Sequence, residues 1–274
     1  MFLVTGATGN VGAEVVAALT GAGAPVRALV RRPDAELPEG AEAVVGDLND
    51  HGTLDGALKG VEGVFLLPGY EDMPGMLARA RDAGVRRIVL LSGGSAALEN
   101  LDNAVSRYMT LAERAVRESG LDWTFLRPRA FMANALRWLP QLREGDTVRV
   151  QFPQVAAACI DPADIAAVAA LALRGGHEGR IHELTGPVAM RPAEQVAVLA
   201  EVLGRDLHAV GLTDDETRAE LEASMPREYV EAFWEFYVGG TLDEATVHPA
   251  VAEVTGRPAR TFAQWAEAHA DAFR

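Results

Sequence analysis

The stretch Leu3-Val-Thr-Gly-Ala-Thr-Gly-Asn-Val-Gly12 sets a glycine-rich turn directly behind a short apolar run, and that order decides the fold. Residues 2–5 predict a buried β-strand, and Val11, Val15, Val16 and Leu19 predict an amphipathic helix. Between them Gly6, Gly9 and Gly12 stand in the spacing GxxGxxG. Gly6 permits the tight strand-to-helix turn, Gly9 lets the backbone approach a pyrophosphate, and Gly12 lets the helix lie close on the sheet. Thr5, Thr8, Asn10 and Val11 flank the glycines, and the free N–H groups at the positive end of the helix face phosphates. A strand, this turn and a helix in that order predict a dinucleotide-binding site rather than an ordinary loop.

The 274 residues suffice for one large α/β domain or a domain with a smaller cap. A net charge of −14 and the lack of a basic stripe argue against nucleic acid as a ligand. No apolar run reaches the roughly 18 residues of a membrane span, and the start lacks a basic leader with a cleavage site. A cytoplasmic protein without a membrane partner is therefore expected. Cys159 is the only cysteine, which excludes an internal disulfide and predicts a buried, inert thiol. The six histidines lie far apart, so no metal site is expected. Lys59 is the single lysine among 25 basic residues, which removes lysine from almost every candidate site.

Strands predicted at 26–30, 43–45, 64–67, 87–91 and 123–126 alternate with helices at 54–58, 76–83 and 102–119. That alternation predicts an α/β fold with a doubly wound parallel sheet. Beyond residue 130 the rhythm loosens. Asp161-Pro162 is a strong helix start, with an Asp N-cap and proline at the first position. The helix that follows to residue 173 is nearly all apolar and so buried, and 181–185 predicts a further strand of the main sheet. Helices are predicted at 192–203 and 214–237, the second holding the aromatic cluster Phe233, Trp234, Phe236 and Tyr237. The expected organisation is a nucleotide-binding domain over 1–150, with a strand returning near 180–186, and mainly a small C-terminal helical substrate cap over 151–274.

The segments LVTGATGNVG, ALVRRP, VVGDLND, VFLLPG, IVLLSG, AERAVRESGLDWTFLRPRAFMAN and HELTGP span most of residues 2–187, and TGRPARTFAQWA follows near the C-terminus. Together they resemble the NmrA-like group of atypical short-chain dehydrogenases/reductases. The resemblance implies an NAD(P)-binding Rossmann-type sheet and either reduction of quinones or related acceptors or a regulator that binds the cofactor without turnover. It also implies that Asp47 and Leu48 border the adenine, that Leu67 and Pro68 line the cofactor, and that Ser92 ends its strand near the nicotinamide. About 20 residues past the glycine turn, an acidic residue would bind a ribose 2′-hydroxyl, whereas arginine would meet a 2′-phosphate. Arg31 and Arg32 stand there, favouring NADP(H) over NAD(H).

One departure decides the chemistry. Most short-chain dehydrogenases pair Tyr and Lys as YxxxK, the lysine lowering the tyrosine pKa for proton transfer. Ser92 is followed at a suitable distance by Tyr108, but Ala112 occupies the lysine position. Without a neighbouring cation the Tyr108 phenol should titrate near its ordinary value of roughly 10. Conjugated acceptors need electrostatic stabilisation more than a dedicated proton donor, and Arg127 or Arg129 would supply it. Phe131, Met132, Asn134 and Trp138, with Phe233, Trp234 and Tyr237 from the cap, would hold a flat ligand. The leading expectation is an NADPH-dependent reductase of a quinone-like or polycyclic aromatic molecule, such as a biosynthetic tailoring enzyme. The alternatives are a non-catalytic NADP(H) sensor and a redox-neutral tailoring enzyme. The long helices around the fourth and fifth strands offer surfaces for a homodimer, though no exposed stripe compels one.

Overall fold

The first strand is so short and so apolar that it can exist only inside a sheet, and the fold is built outward from it. The computed structural model describes residues 1–273. Its main sheet has seven strands: β1 (Phe2–Val4), β2 (Val26–Val30), β3 (Ala41–Val45), β4 (Gly63–Leu66), β5 (Arg87–Leu91), β6 (Asp122–Pro128) and β8 (Arg180–Leu184). All pairs are parallel, in the order β3-β2-β1-β4-β5-β6-β8. The strand order reverses between β1 and β4, and ligands of such sheets bind in the crevice outside the strand ends at that point.

Helices cover both faces, which is why the central strands read as continuous apolar runs rather than alternating ones. On one face lie α1 (Gly12–Gly21), α6 (Pro162–Arg174) and α10 (Ala250–Thr255), whose Val15, Leu19, Ile165, Leu173 and Val251 share a core. On the other lie α2 (Asp55–Leu58), α3 (Met73–Asp82) and α4 (Ala104–Glu118), whose Leu58, Leu77 and Val116 share a second. Asp161 caps α6 through the Ala163 N–H, and Asn103 caps α4 through the N–H groups of Val105 and Ser106.

A third core, around Trp138, Val148, Leu199 and Trp265, belongs to the cap. The cap comprises a 3₁₀ segment (Met132–Trp138), α5 (Leu139–Glu144), α7 (Pro192–Leu203), α8 (Asp214–Ser224), α9 (Arg227–Tyr237) and α11 (Phe262–Ala268). It also contains β7 (Thr147–Val150), paired in parallel with β9 (His208–Gly211), which the sequence pattern did not predict. The chain thus enters the cap at about residue 131, returns to the main sheet with α6 and β8, and then leaves again. A single cut at residue 150 does not separate the two layers. The helix expected over 214–237 is two, because the extended backbone at Met225 and Pro226 divides it.

The glycine turn is the tightest point of the fold. A side-chain carbon on Gly12 would overlap the carbonyl of Gly6, and both overlapping atoms belong to backbone that cannot move aside. Replacing Gly12 with alanine should cost about 1–3 kcal/mol of stability, the range of an overpacked interior. Urea unfolding with the wild-type midpoint would contradict this.

Candidate active site

The crevice outside β1 is shaped by the backbone. Gly6 adopts a left-handed conformation (φ 59°), and the Gly9 N–H donates to its carbonyl at 2.9 Å. No side chain caps α1, and Thr8, Gly9 and Asn10 are exposed, so the positive helix end opens onto the crevice. A glycine cradle that a side-chain carbon would fill, at an uncapped helix N-terminus, fits a dinucleotide pyrophosphate. Two flanking residues turn inward instead. Val11 packs in the core, and Thr5 is fully buried, its hydroxyl accepting the Leu67 N–H at 3.0 Å to tie β1 to the end of β4.

Past β2, exposed Arg31 borders a small cavity of about 200 Å³ with Val45, Gly46, Asp47 and Thr53. Arg32 points elsewhere, 3.9 Å from Asp34 with both side chains in solvent, where such a pair contributes little. Asp47 is exposed and accepts the Asn49 N–H, while the Leu48 side chain is buried in the core below. Leu67 and Pro68 are half-buried at the end of β4, Leu67 lying against the glycine turn.

Beside the end of β4, Tyr108 stands without a lysine on its helix. The Tyr108 hydroxyl donates to the Pro68 carbonyl at 2.8 Å. Its pKa is raised by burial and by Tyr229, rather than lying at the ordinary value. Ala112, one turn further on, is buried in the core beneath α4. Lys59 lies at the far end of α2.

Ser92, Arg127 and Arg129 were candidates on sequence, and each stands beside a carboxylate. Ser92 is buried and donates to Glu113 at 2.7 Å. The same carboxylate takes two hydrogen bonds from Arg127, each 2.8 Å. Arg129 sits against Gly94, whose missing side chain makes room for the guanidinium, and pairs with Glu183 at 3.1 Å. Ser92 and Arg127 are thus committed to Glu113, whereas Nε and Nη1 of Arg129 are buried without a hydrogen-bond partner.

Beyond β6 opens a cavity of about 540 Å³ walled by the 3₁₀ segment, β7, α8 and α9 of the cap. Phe131, Asn134, Trp138, Phe233 and Tyr237 line it. Met132 does not, being buried in the cap and facing a second cavity of about 320 Å³. Trp234 lies beneath Arg218, whose guanidinium stands 4.8 Å from its ring centre. Phe152 and Arg137 also line the cavity, and no local sequence signal marks either. Phe152 holds a left-handed backbone (φ 46°), a strained state for a bulky residue, and lies edge-on to Tyr237 at 4.9 Å between ring centres. Glu235 fixes the roof by accepting from Asn103 at 2.8 Å and Asn100 at 3.0 Å, which pins α9 onto the start of α4. Burial raises the Tyr237 phenol, keeping it a neutral donor in the cavity wall.

Two outcomes follow. Glu113→Ala leaves the buried Arg127 guanidinium with Glu183 alone, at 3.4 Å, and should cost about 3–5 kcal/mol in urea unfolding, and an unchanged free energy would contradict this. Burial pushes the Cys159 thiol up to about 11, so it holds almost no thiolate near neutral pH. Iodoacetamide should label it slowly in the native protein and fully once unfolded, whereas equal rates would show a reactive thiol.

A family model described as NAD(P)H-binding matches residues 6–174. The chain is 45% identical to the (4-alkanoyl-5-oxo-2,5-dihydrofuran-3-yl)methyl phosphate reductase of Streptomyces griseus, covering 100% of this chain and 99% of that protein. It is 38% identical to the NAD(P)H azoreductase of Xenophilus azovorans, covering 100% and 99%. An NADPH-dependent quinone oxidoreductase of Escherichia coli, solved with NADPH, superposes with a TM-score of 0.79 at 26% identity, over 98% of this chain and 99% of that one. No helix among the described residues is long and apolar enough to cross a membrane, and no group of three or more His, Cys, Asp or Glu among them is placed to hold a metal ion. The chain belongs to the NAD(P)H-binding, NmrA-like family of atypical short-chain dehydrogenases/reductases, and stands among its reductases.

Proposed function

We propose that this reductase adds hydride to an electron-poor conjugated double bond, with NADPH as the preferred donor. The observation that carries the proposal is the buried Ala112 beside a Tyr108 hydroxyl already bound to Pro68. An isolated ketone leaves an alkoxide that demands a proton as it forms. A quinone, an azo bond or an unsaturated lactone spreads the charge over a conjugated system, and solvent protonates the product. The substrates named for the three relatives all fit that description, which supports a shared class of acceptor.

When bound, the nicotinamide supplies the hydride. The protein's own part is positioning. Thr8, Gly9 and Asn10 present the turn to the pyrophosphate, and Arg31 offers a planar guanidinium for a 2′-phosphate. Asp47 borders the adenosine end, and Leu67 and Pro68 form the floor of the crevice. Phe131, Phe152, Phe233 and Tyr237 give flat walls suited to a quinone-like or polycyclic ring, in a cavity of a volume usual for small-molecule sites. A tailoring step in small-molecule biosynthesis suits that size.

Three measurements bear on this. NADPH absorbance should fall on adding menadione, an azo dye or an unsaturated lactone, whereas tight NADPH binding without oxidation by any of them would favour a sensor. Tyr108→Phe should keep kcat within about twofold, and a loss of about a hundredfold, the scale of a lost general acid, would contradict the account. Arg31→Asp should weaken NADPH binding about tenfold or more by calorimetry and leave NADH nearly unchanged. Equal losses would remove Arg31 from cofactor choice.

A further inference from the structure

The charges around the large cavity do not cancel. Three charged side chains line it: Arg137, Arg149 and Glu220. Glu220 is matched by Arg149 at 3.3 Å and by the Gln151 amide at 3.1 Å, and Arg149 also lies 3.6 Å from Glu216. Arg137, an exposed residue of the cavity wall, has neither a hydrogen bond nor an ion pair among the described residues, whereas Arg149 beside the same cavity is held by Glu216 and Glu220. Its surface opens to the cavity, and protein packed around it depresses its pKa below the ordinary arginine value. Arginine nevertheless stays charged at any physiological pH.

The local backbone explains why this guanidinium faces inward. Met132–Trp138 is a 3₁₀ helix, in which side chains three residues apart lie one above another. Phe131 at its start, Asn134 and Arg137 follow that spacing, and all three line the cavity. The file therefore presents a ring, then an amide, then a guanidinium along one wall. The Asn134 side chain has no partner among the described residues either, which leaves its amide donors beside the guanidinium. An exposed guanidinium and an amide that no protein group occupies, side by side on a concave wall, are free to bind an anion that enters the cavity.

We propose that Arg137 and Asn134 form an anion subsite in the substrate cavity, and that the substrate carries a phosphate or carboxylate group which they bind while the aromatic walls hold its conjugated part. Only the assignment of this cavity to substrate rests on the proposed reductase function. Arg137 would act as a specificity-determining residue, with its planar fork reading two oxygens of the anion. Asn134 would add one donor.

Calorimetric titration of 1-naphthyl phosphate, 1-naphthoate and 1-naphthol into the NADPH-loaded protein tests this without requiring turnover. One of the two anions should bind about tenfold or more tighter than 1-naphthol. Preference for the phosphate identifies a phosphomonoester, and preference for the naphthoate identifies a carboxylate. Arg137→Gln should erase the difference between anion and naphthol, and Arg137→Lys should restore part of it. Binding of 1-naphthol to the variant reports that the cavity is intact. Equal affinity of the three compounds for the wild type, no binding of either anion, or an anion preference that survives Arg137→Gln would overturn the proposal. Failure to reduce any quinone would count against the reductase chemistry alone, because none of these titrations involves hydride transfer.

Discussion

The buried carboxylate of Glu113 is the constraint around which the reaction end of the crevice is arranged. A carboxylate so deeply enclosed must be neutralised, and Arg127 does so through two short hydrogen bonds while Ser92 contributes a third. These bonds join α4 to the ends of β5 and β6, so the rotation of α4 about its axis is set. With Glu113 turned toward the sheet, Ala112 falls into the core and Tyr108 reaches the carbonyl of Pro68. The same contacts that hold the helix therefore remove a serine and an arginine from chemistry and leave the tyrosine without a cation. On the proposed function, such a site places two flat molecules against each other and is poorly equipped to hand over a proton.

The cap extends this arrangement outward. Glu235 on α9 grips Asn100 and Asn103 at the start of α4, and Arg107 reaches Glu228 at 3.0 Å. The roof of the cavity is thus attached to the same helix that Glu113 fixes. Glu244 adds a second tie by accepting the Ala130 N–H at 3.0 Å, and burial raises its pKa. Charge within this region is almost fully matched, Glu183 serving Arg127 and Arg129 and Glu220 serving Arg149. Arg137, exposed on the cavity wall and unpaired, is the group for which we propose a partner from outside the chain.

The parts of the fold legible in the sequence were those set by local signals. Parallel strands buried on both faces appear as apolar runs, the Gly6–Gly12 turn has a fixed spacing, and Asp161-Pro162 starts a helix on its own chemistry. The β7–β9 pair was not legible, because each strand is four residues long, carries polar residues such as Arg149 and His208, and meets its partner far along the chain. The break between α8 and α9 was marked by Met225-Pro226, a signal overshadowed by the aromatic run that follows. In the site, Arg127 and Arg129 looked available because their neutralising partners are distant in sequence, Glu113 lying 14 residues before Arg127 and Glu183 lying 56 residues after it. Arg137 was passed over for the opposite reason. It lies in a stretch without helical or strand periodicity, and only the 3₁₀ geometry aligns it with Phe131 and Asn134.

The central claim is that hydride transfer here proceeds without a side chain delivering a proton in the same step. Stopped-flow oxidation of enzyme-bound NADPH by menadione, with NADPH deuterated at the transferred position and in parallel in heavy water, tests it most directly. The account predicts a clear primary isotope effect on the hydride step and a solvent isotope effect close to unity. A large solvent effect on that same step would contradict it, because it would place a protein-borne proton in the transition state.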